Sequence, residues 1–141
     1  MASKNILVLC TSNSIRSQIA EAFFRKYGSD KINVLSGGIM PSYVHPLAIA
    51  MMNELSIDIS QQTSKDLREF LDCHFDYVIT LSETVKEHCP KFPNNTIYLH
   101  WDIPDPTAFR GGDKDMLNTF REVRSTIEEN VQNFLNDNGL K

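Results

Sequence analysis

The sequence has few cysteines and no long hydrophobic run. Its three cysteines, Cys10, Cys73 and Cys89, are an odd number at unrelated spacings, which fits a reducing compartment better than a disulfide framework. No apolar segment reaches the roughly 20 residues that cross a bilayer, and the first residues lack the pattern of a secretory signal. We therefore expect a cytoplasmic protein without a membrane partner.

Other missing patterns narrow the function further. A net charge of −4 offers no basic surface for nucleic acid, so we expect no nucleic-acid partner. The dinucleotide fingerprint Gly-x-Gly-x-x-Gly and the Walker lysine are absent, and no tightly bound cofactor is expected. The pairs Cys73-His74 and His88-Cys89 lack the spacing of a zinc site, so no bound metal is expected either.

The alternation of apolar runs with helical patterns predicts the fold. A chain of 141 residues, 41% of them hydrophobic, suits one domain over residues 1–141, and we expect a monomer. Short apolar runs separated by helical segments predict an α/β fold, with one open four-stranded parallel sheet and helices on both faces. The expected strands are residues 6–9, 32–35, 77–81 and 97–99.

Helical periodicity fills the intervals between these strands. Apolar side chains recur at steps of three and four residues in several segments, most clearly in the last one. Gly28 directly after the first segment favours a helix end there. The expected helices are residues 17–27, a segment that begins at Pro46, a segment capped by Thr63 or Ser64 that contains Leu67 and Phe70, and residues 116–135.

The most informative segment, residues 10–17, follows the first predicted strand and precedes the first predicted helix. A loop of small residues at such a junction can turn backbone N–H groups towards an anion, and the helix N-terminus adds partial positive charge. That field favours the thiolate of Cys10, and Arg16 adds a charged planar fork for a tetrahedral oxyanion. The predicted oxyanion-binding residues are Thr11, Ser12, Asn13, Ser14, Ile15 and Arg16.

Three more residues complete the predicted chemistry. Ser17 can donate its hydroxyl to the Cys10 sulfur and help to keep it ionised. Asp105 lies between two prolines that hold its carboxyl group in a definite direction, so it can protonate a departing oxygen; the alternative is an ordinary turn residue. Asn13 suits a left-handed backbone conformation that a tight loop requires.

These motifs resemble the low-molecular-weight protein tyrosine phosphatase superfamily, whose signature is a cysteine, five residues, an arginine and a serine, with a distant Asp-Pro as general acid. The resemblance spans nearly the whole chain and is greatest to the arsenate reductases of that fold. By position it implies that Cys10 is the nucleophile, that Arg16 and the loop amides bind the oxyanion, and that Asp105 is the acid. Further matches are Ala20-Glu21, Ser36-x-Gly38-Ile39, Ile57-Asp58-Ile59-Ser60-x-x-Thr63-Ser64 and His100-Trp101.

The chain departs from this family in its cysteines. The thioredoxin-coupled arsenate reductases use three in sequence, the last two on a segment after the third strand. Here Cys89 matches the final one, but the middle position is Ser82, and a hydroxyl cannot take over a disulfide. Two routes stay open: Cys89 attacks the Cys10 adduct, or an external thiol (glutathione with glutaredoxin, or thioredoxin) does so. Cys73 is expected to be buried structure.

A second departure concerns cation binding. Some of these reductases hold potassium through residues that match Asn13, Glu21, Ser36, Thr63 and an aspartate, and the aspartate position is Lys65 here. The ammonium of Lys65 either takes the place of the ion beside Glu21 or is solvated.

The residues around the Asp-Pro bear on the substrate. Phosphatases of this family follow it with tyrosines that flank the substrate ring, whereas this chain continues as Thr107-Ala108-Phe109, which favours a small oxyanion. Tyr43 instead favours a phosphatase, because phosphatases of this family carry an aromatic residue near that position that lines the substrate slot. The alternative is that Tyr43 is an exposed loop residue without a role.

Three functions follow from these motifs. The first is a cytosolic arsenate reductase, and the second is a phosphatase in which water cleaves a Cys10 phosphocysteine formed from phosphotyrosine or another phosphomonoester. The third is a non-catalytic anion-binding module, which needs neither the thiolate of Cys10 nor the acid Asp105. We expect the arsenate reductase.

Overall fold

The computed structural model describes residues 3–141 and contains one four-stranded parallel sheet. The strands lie in the order β2-β1-β3-β4, so the chain forms β1 at the centre and then places strands on either side of it. The predicted open parallel sheet is confirmed. The strands are β1 (Lys4–Cys10), β2 (Ile32–Gly38), β3 (Tyr77–Thr80) and β4 (Ile97–His100).

Within residues 3–141, four α-helices and two short 3-10 helices connect and cover these strands. Gly28 ends the first helix as expected, and its N–H donates to the carbonyl of Phe24 at 2.8 Å. No helix within residues 3–141 is long and apolar enough to span a membrane. The helices are α1 (Arg16–Tyr27), α2 (Pro46–Asn53), α3 (Glu83–Glu87) and α4 (Asp113–Asp137), and the 3-10 helices are Leu67–Phe70 and Pro106–Ala108.

The central strand β1 separates two hydrophobic clusters. Since alternate side chains of a strand point to opposite faces, Ile6 and Val8 pack in a large cluster with α1, α2 and α4. Leu7 and Leu9 pack in a smaller cluster with the first 3-10 helix and α3. Both faces are therefore covered, and β1 is buried almost throughout, which explains its continuous apolar run.

Two of the sequence predictions in this region are wrong. The segment after Thr63 and Ser64 forms only the 3-10 helix Leu67–Phe70, and its cap is Asp66, whose carboxylate accepts the N–H of Arg68. The hydroxyl of Ser64 donates instead to the carbonyl of Ser12 at 2.9 Å. Cys73 is exposed, not buried, because it lies in a solvent-facing turn after this helix.

The short helix α3 was not predicted. It spans five residues, Glu83–Glu87, which is too short for a periodic signal. Ser82 caps it by accepting the N–H of Val85 at 3.3 Å, and Val85 is buried in the smaller cluster. The carboxyl ends of β1, β3 and β4 all lie at one edge of the sheet, next to α3 and the loop that contains Asp105.

Candidate active site

The loop between β1 and α1 is held from outside through its carbonyl oxygens. The carbonyls of residues 11–14 accept hydrogen bonds from groups outside the loop, which turns the peptide N–H groups towards the enclosed side. The N–H groups of residues 12–16 have no hydrogen-bond partner within residues 3–141. The outer pairs are Met40 N to Thr11 O (2.9 Å), Ser64 Oγ to Ser12 O (2.9 Å), Gln18 Nε2 to Asn13 O (3.0 Å) and His45 N to Ser14 O (3.1 Å).

Asn13 gives the loop its sharp turn. Its φ of 50° lies in the left-handed region, as the sequence predicted, and asparagine tolerates this conformation better than most residues. Gly38 on β2 makes room for the turn, because a Cβ at that position would lie 2.8 Å from both Asn13 N and Thr11 O. A side chain at position 38 therefore displaces the loop.

A chain of hydrogen bonds ends at the sulfur of Cys10. The amide of Asn13 donates from Nδ2 to Ser17 Oγ at 2.7 Å, so the hydroxyl hydrogen of Ser17 is free to point at Cys10 Sγ, 2.9 Å away. Cys10 and Ser17 are both buried, at 2% and 0% exposure. The structure thus contains the hydrogen bond between Ser17 and the Cys10 sulfur that the sequence predicted.

Arg16 is anchored by strand ends on the other side of the loop. Its Nη1 donates to the carbonyl of Ile103 at 3.0 Å and more weakly to that of Leu81 at 3.5 Å. These bonds use one edge of the guanidinium and hold it as a wall of the pocket, which leaves its other N–H groups for a bound anion.

Asp105 lines the same pocket and is oriented by Thr107. Its Oδ1 accepts the backbone N–H of Thr107 at 2.9 Å and the Thr107 hydroxyl at 2.6 Å, which leaves Oδ2 for a substrate. Partial burial alone raises the pKa of Asp105. The hydrogen bonds from Thr107 and the positive charges of Arg16 and His45 outweigh it, so the net pKa is below its usual value.

These groups enclose one small cavity of about 210 Å³. It joins the predicted residues Cys10, Arg16 and Asp105, which lie far apart in the sequence. Tyr43 also lines it, but 61% of this residue is exposed, so it forms the rim. The lining consists of Cys10, Ser12, Ser14, Ile15, Arg16, Ser42, Tyr43, His45, Asp105 and Thr107.

His45 and Thr107 are pocket residues that the sequence analysis did not select. Thr107 directly follows the predicted Asp105-Pro106 pair, so the sequence itself indicates a hydroxyl close to Asp105. His45 gave a weaker signal: a polar residue before Pro46 can cap a helix, and its Nδ1 does accept the N–H of Leu47 at 3.0 Å.

Lys65 lies beside a buried carboxylate. Its Nζ donates to the carbonyl of Thr63 at 2.8 Å and lies 3.7 Å from Oε1 of Glu21, which is 2% exposed. The same Oε1 accepts the hydroxyl of Ser36 at 2.6 Å, and Arg25 pairs with Oε2. The ammonium of Lys65 therefore lies beside Glu21 and bonds the Thr63 carbonyl, and whether it replaces a potassium ion stays a prediction.

The structure does not bring Cys89 into the pocket. The Cys89 side chain packs against the smaller cluster, and burial raises the pKa of its thiol. Ser82 is closer to the loop, because its hydroxyl lies 3.0 Å from that of Thr11. The position where the family carries its middle cysteine thus touches the Cys10 loop, and the position of the final cysteine does not line the cavity.

One cluster of metal-ligating types lies outside the pocket. The side chains of Glu83, His100 and Asp102 place a ligand atom each within 4.8 Å of one another. His100 already has neighbours on both ring nitrogens, since Nε2 is 3.2 Å from Glu83 Oε1 and Nδ1 is 2.8 Å from the Thr80 hydroxyl. The contact of Nδ1 with Thr80 is a hydrogen bond, whereas the buried Nε2 has no hydrogen-bond partner within residues 3–141, and the proximity of His100 to Glu83 joins α3 to the end of β4.

Comparison with known proteins agrees with this geometry. The family model described as low molecular weight phosphotyrosine protein phosphatase matches residues 5–141. An arsenate reductase from Halalkalibacterium halodurans is 40% identical over 134 residues, which cover 95% of this chain and 96% of that protein. A glutaredoxin arsenate reductase from Synechocystis sp. is 39% identical over 132 residues, with 94% and 96% covered.

Solved structures are similar over the same span. The structure of an arsenate reductase in its oxidised state has a TM-score of 0.81 and 37% identity, and covers 95% of this chain and 98% of that one. The structure of an arsenate reductase in its phosphate-binding state has a TM-score of 0.75 with the same identity and coverage. The likeness in sequence and in fold therefore extends over almost the whole chain.

Proposed function

Because the chain belongs to the low molecular weight phosphotyrosine protein phosphatase family, and is similar to arsenate reductases over nearly its full length, we propose that it reduces arsenate to arsenite. The observation that carries this proposal is the cavity that brings Cys10, Arg16 and Asp105 together around unpaired backbone N–H groups. Its small volume suits a tetrahedral oxyanion.

In the first step, the Cys10 thiolate attacks arsenic. The loop N–H groups and Arg16 hold three oxygens, and the fourth lies opposite the sulfur, on the side of Asp105. A sulfur–arsenic bond forms as the bond from arsenic to this fourth oxygen breaks. The lowered pKa of Asp105 means that the proton arrives with the arsenate, and Asp105 Oδ2 relays it to the departing oxygen.

In the second step, another thiol attacks the sulfur of Cys10. A disulfide bond forms, the sulfur–arsenic bond breaks, and its electron pair stays on arsenic. Arsenic is thereby reduced by two electrons and leaves as arsenite, while Cys10 and the second thiol are oxidised to a disulfide. A further thiol must then reduce this disulfide to restore Cys10.

The second thiol is external in this proposal. Cys89 does not line the cavity, and burial raises the pKa of its thiol, which disfavours the attacking thiolate. Ser82, which does touch the loop, has no sulfur. Glutathione with glutaredoxin therefore suits the second step better than an internal relay. The printed name of the Synechocystis relative links that protein to glutaredoxin.

The direct test is arsenite release by the purified protein. Arsenate is supplied with glutathione and glutaredoxin in one series and with thioredoxin in another, and Cys10→Ser is the control. We expect arsenite in the glutathione series from the unaltered protein and none from Cys10→Ser. Equal arsenite in both proteins contradicts the proposal.

A phosphatase is the second candidate, and the rim of the cavity favours it. Tyr43 stacks on His45 with ring centroids 6.3 Å apart, so an aromatic wall is available to a phosphotyrosine ring. Water would then replace the external thiol and cleave a Cys10 phosphocysteine. Robust hydrolysis of an aryl phosphate, undiminished in Cys89→Ser, together with no arsenite release, would identify this function.

A further inference from the structure

His45 is held in one orientation by contacts from several elements. Its backbone N–H donates to the carbonyl of Ser14 at 3.1 Å, which ties the residue to the Cys10 loop. Its ring stacks on Tyr43 and lies 5.9 Å from the ring of the buried Phe120, measured between centroids. The imidazole is therefore a fixed part of the cavity wall, next to the exposed rim formed by Tyr43.

One hydrogen bond determines where the imidazole proton lies. The N–H of Leu47 donates to Nδ1 of His45 at 3.0 Å. A backbone N–H can only donate, so Nδ1 must carry a lone pair, and the proton of the neutral ring is on Nε2. Nε2 has no hydrogen-bond partner within residues 3–141, so its N–H is available to a molecule in the cavity.

The neutral form of His45 is also the favoured form. Burial lowers the pKa of His45, and the nearby Asp105 carboxylate opposes this only in part. A proton on Nδ1 would face the N–H of Leu47 and remove the cap of α2. The ring is thus suited to donate a hydrogen bond without exchanging its proton.

We propose that His45 is a further catalytic residue, whose Nε2–H donates to the oxygen that leaves arsenic when Cys10 attacks. This inference rests on the proposed function and deepens it. His45 and Asp105 line the same cavity, and they are close enough for the charge of each to affect the other. Since Asp105 serves the departing oxygen in the proposed reaction, His45 is available to the same oxygen. As the arsenic–oxygen bond breaks, negative charge develops on that oxygen. His45 stabilises this charge and keeps its own proton, while Asp105 relays the proton that arrived with the arsenate.

A pair of variants separates this role from the capping of α2. Asparagine keeps an oxygen that can accept the N–H of Leu47 but removes the ring, whereas alanine removes both. We expect His45→Asn to lower kcat for arsenate reduction about ten- to a hundred-fold, with KM and Tm close to those of the unaltered protein. His45→Ala should lose a similar factor in kcat and also lower Tm. His74→Asn, at an exposed histidine outside the cavity, is the matched control and should keep full activity.

The second measurement is made on the unaltered protein and needs no turnover. Nitrogen-15 NMR of the histidine rings should report an unprotonated Nδ1 and a protonated Nε2 for His45, and inorganic phosphate, as a non-reducible probe, should shift the Nε2 signal. If phosphate binds and leaves that signal unmoved, or if His45→Asn keeps full kcat, the inference is overturned.

The two proposals fail in different ways. If the protein releases no arsenite but phosphate shifts the Nε2 signal, the proposed reduction is wrong and the assignment of His45 as an oxyanion ligand stands. If arsenite is released and both His45 results are negative, the reduction stands and the role of His45 is wrong.

Discussion

The Cys10 loop and the segment of residues 82–90 meet at the hydroxyl contact between Thr11 and Ser82, but they are held very differently. The loop is anchored through consecutive carbonyls and through the side chain of Asn13. The segment contains a five-residue helix whose hydrogen bonds are mainly local, such as His88 Nδ1 with Thr84 O at 2.9 Å. In the proposed reaction, the step that binds and attacks the oxyanion uses the anchored Cys10 loop, and the step that resolves the adduct uses an external thiol instead of the segment of residues 82–90.

The largest effect is expected from Cys10→Ser, which removes the attacking thiol from the Cys10 loop. Arsenite release should fall at least about a thousand-fold, because a serine hydroxyl is not ionised at neutral pH and cannot form the disulfide. Cys73→Ser is the matched control, since that thiol is exposed and outside the cavity. If Cys10→Ser retains a tenth of the activity, Cys10 is not the nucleophile.

The next effect is expected from Asn13→Ala. This change removes the donor to Ser17 and Ser36 and strains the φ of 50°, so kcat should fall about a hundred-fold and Tm should fall as well. Asn13→Gly relieves the strain but not the lost hydrogen bonds, and it should recover Tm without recovering kcat.

Asn94→Ala is the control for backbone strain alone. Asn94 has a φ of 64° far from the cavity, so alanine there should lower the free energy of unfolding by about 1 kcal/mol and leave kcat unchanged. If Asn13→Gly has normal activity, the hydrogen bonds of Asn13 do not matter for the Cys10 thiolate.

A smaller effect is expected at Thr107, and it appears as a pH shift. The Thr107 hydroxyl stabilises the ionised form of Asp105, so Thr107→Val should raise the pKa of Asp105 towards its usual value. Hydrolysis of an aryl phosphate needs Asp105 protonated, and its activity on the alkaline side should therefore extend to higher pH in the variant.

Thr107→Ser keeps the hydroxyl and should retain the pH profile of the unaltered protein. Thr126→Val is a control at a hydroxyl that bonds only the Glu122 carbonyl on α4. A shift of the alkaline limb to lower pH in Thr107→Val would contradict the assigned role of this hydroxyl.

The smallest effect is expected from Cys89→Ser in the segment of residues 82–90. If the second thiol is external, arsenite release with glutathione and glutaredoxin should stay within about twofold, because Cys89 packs against the smaller cluster and does not line the cavity. A ten-fold or greater loss of arsenite release would mean that Cys89 takes part in the reaction. The segment of residues 82–90 would then contribute to the chemistry as the Cys10 loop does.

The same contrast explains what could be predicted from the sequence. The strands, the loop from Cys10 to Ser17 and the left-handed Asn13 follow from local patterns, because apolar runs, small residues and a helix start lie next to one another in the chain. Helix α3 could not be predicted, since a cap by Ser82 and burial of Val85 replace periodicity there.

The residues that tertiary contacts bring together were harder to predict. The role of His45 depends on Leu47, on Phe120 from α4 and on Asp105 from another loop, and no short motif reports such a combination. The incorrect helix after Ser64 has the same cause, because Ser64 bonds the Cys10 loop instead of capping a helix. The exposure of Cys73 likewise depends on the turn that follows the 3-10 helix.

The most direct test of the central claim is mass spectrometry of the protein trapped after one turnover with arsenate and glutathione. The account predicts one glutathione attached through a disulfide to Cys10, with Cys89 still reduced. A disulfide between Cys10 and Cys89 would contradict it, and would mean that the segment of residues 82–90 carries its thiol into the cavity.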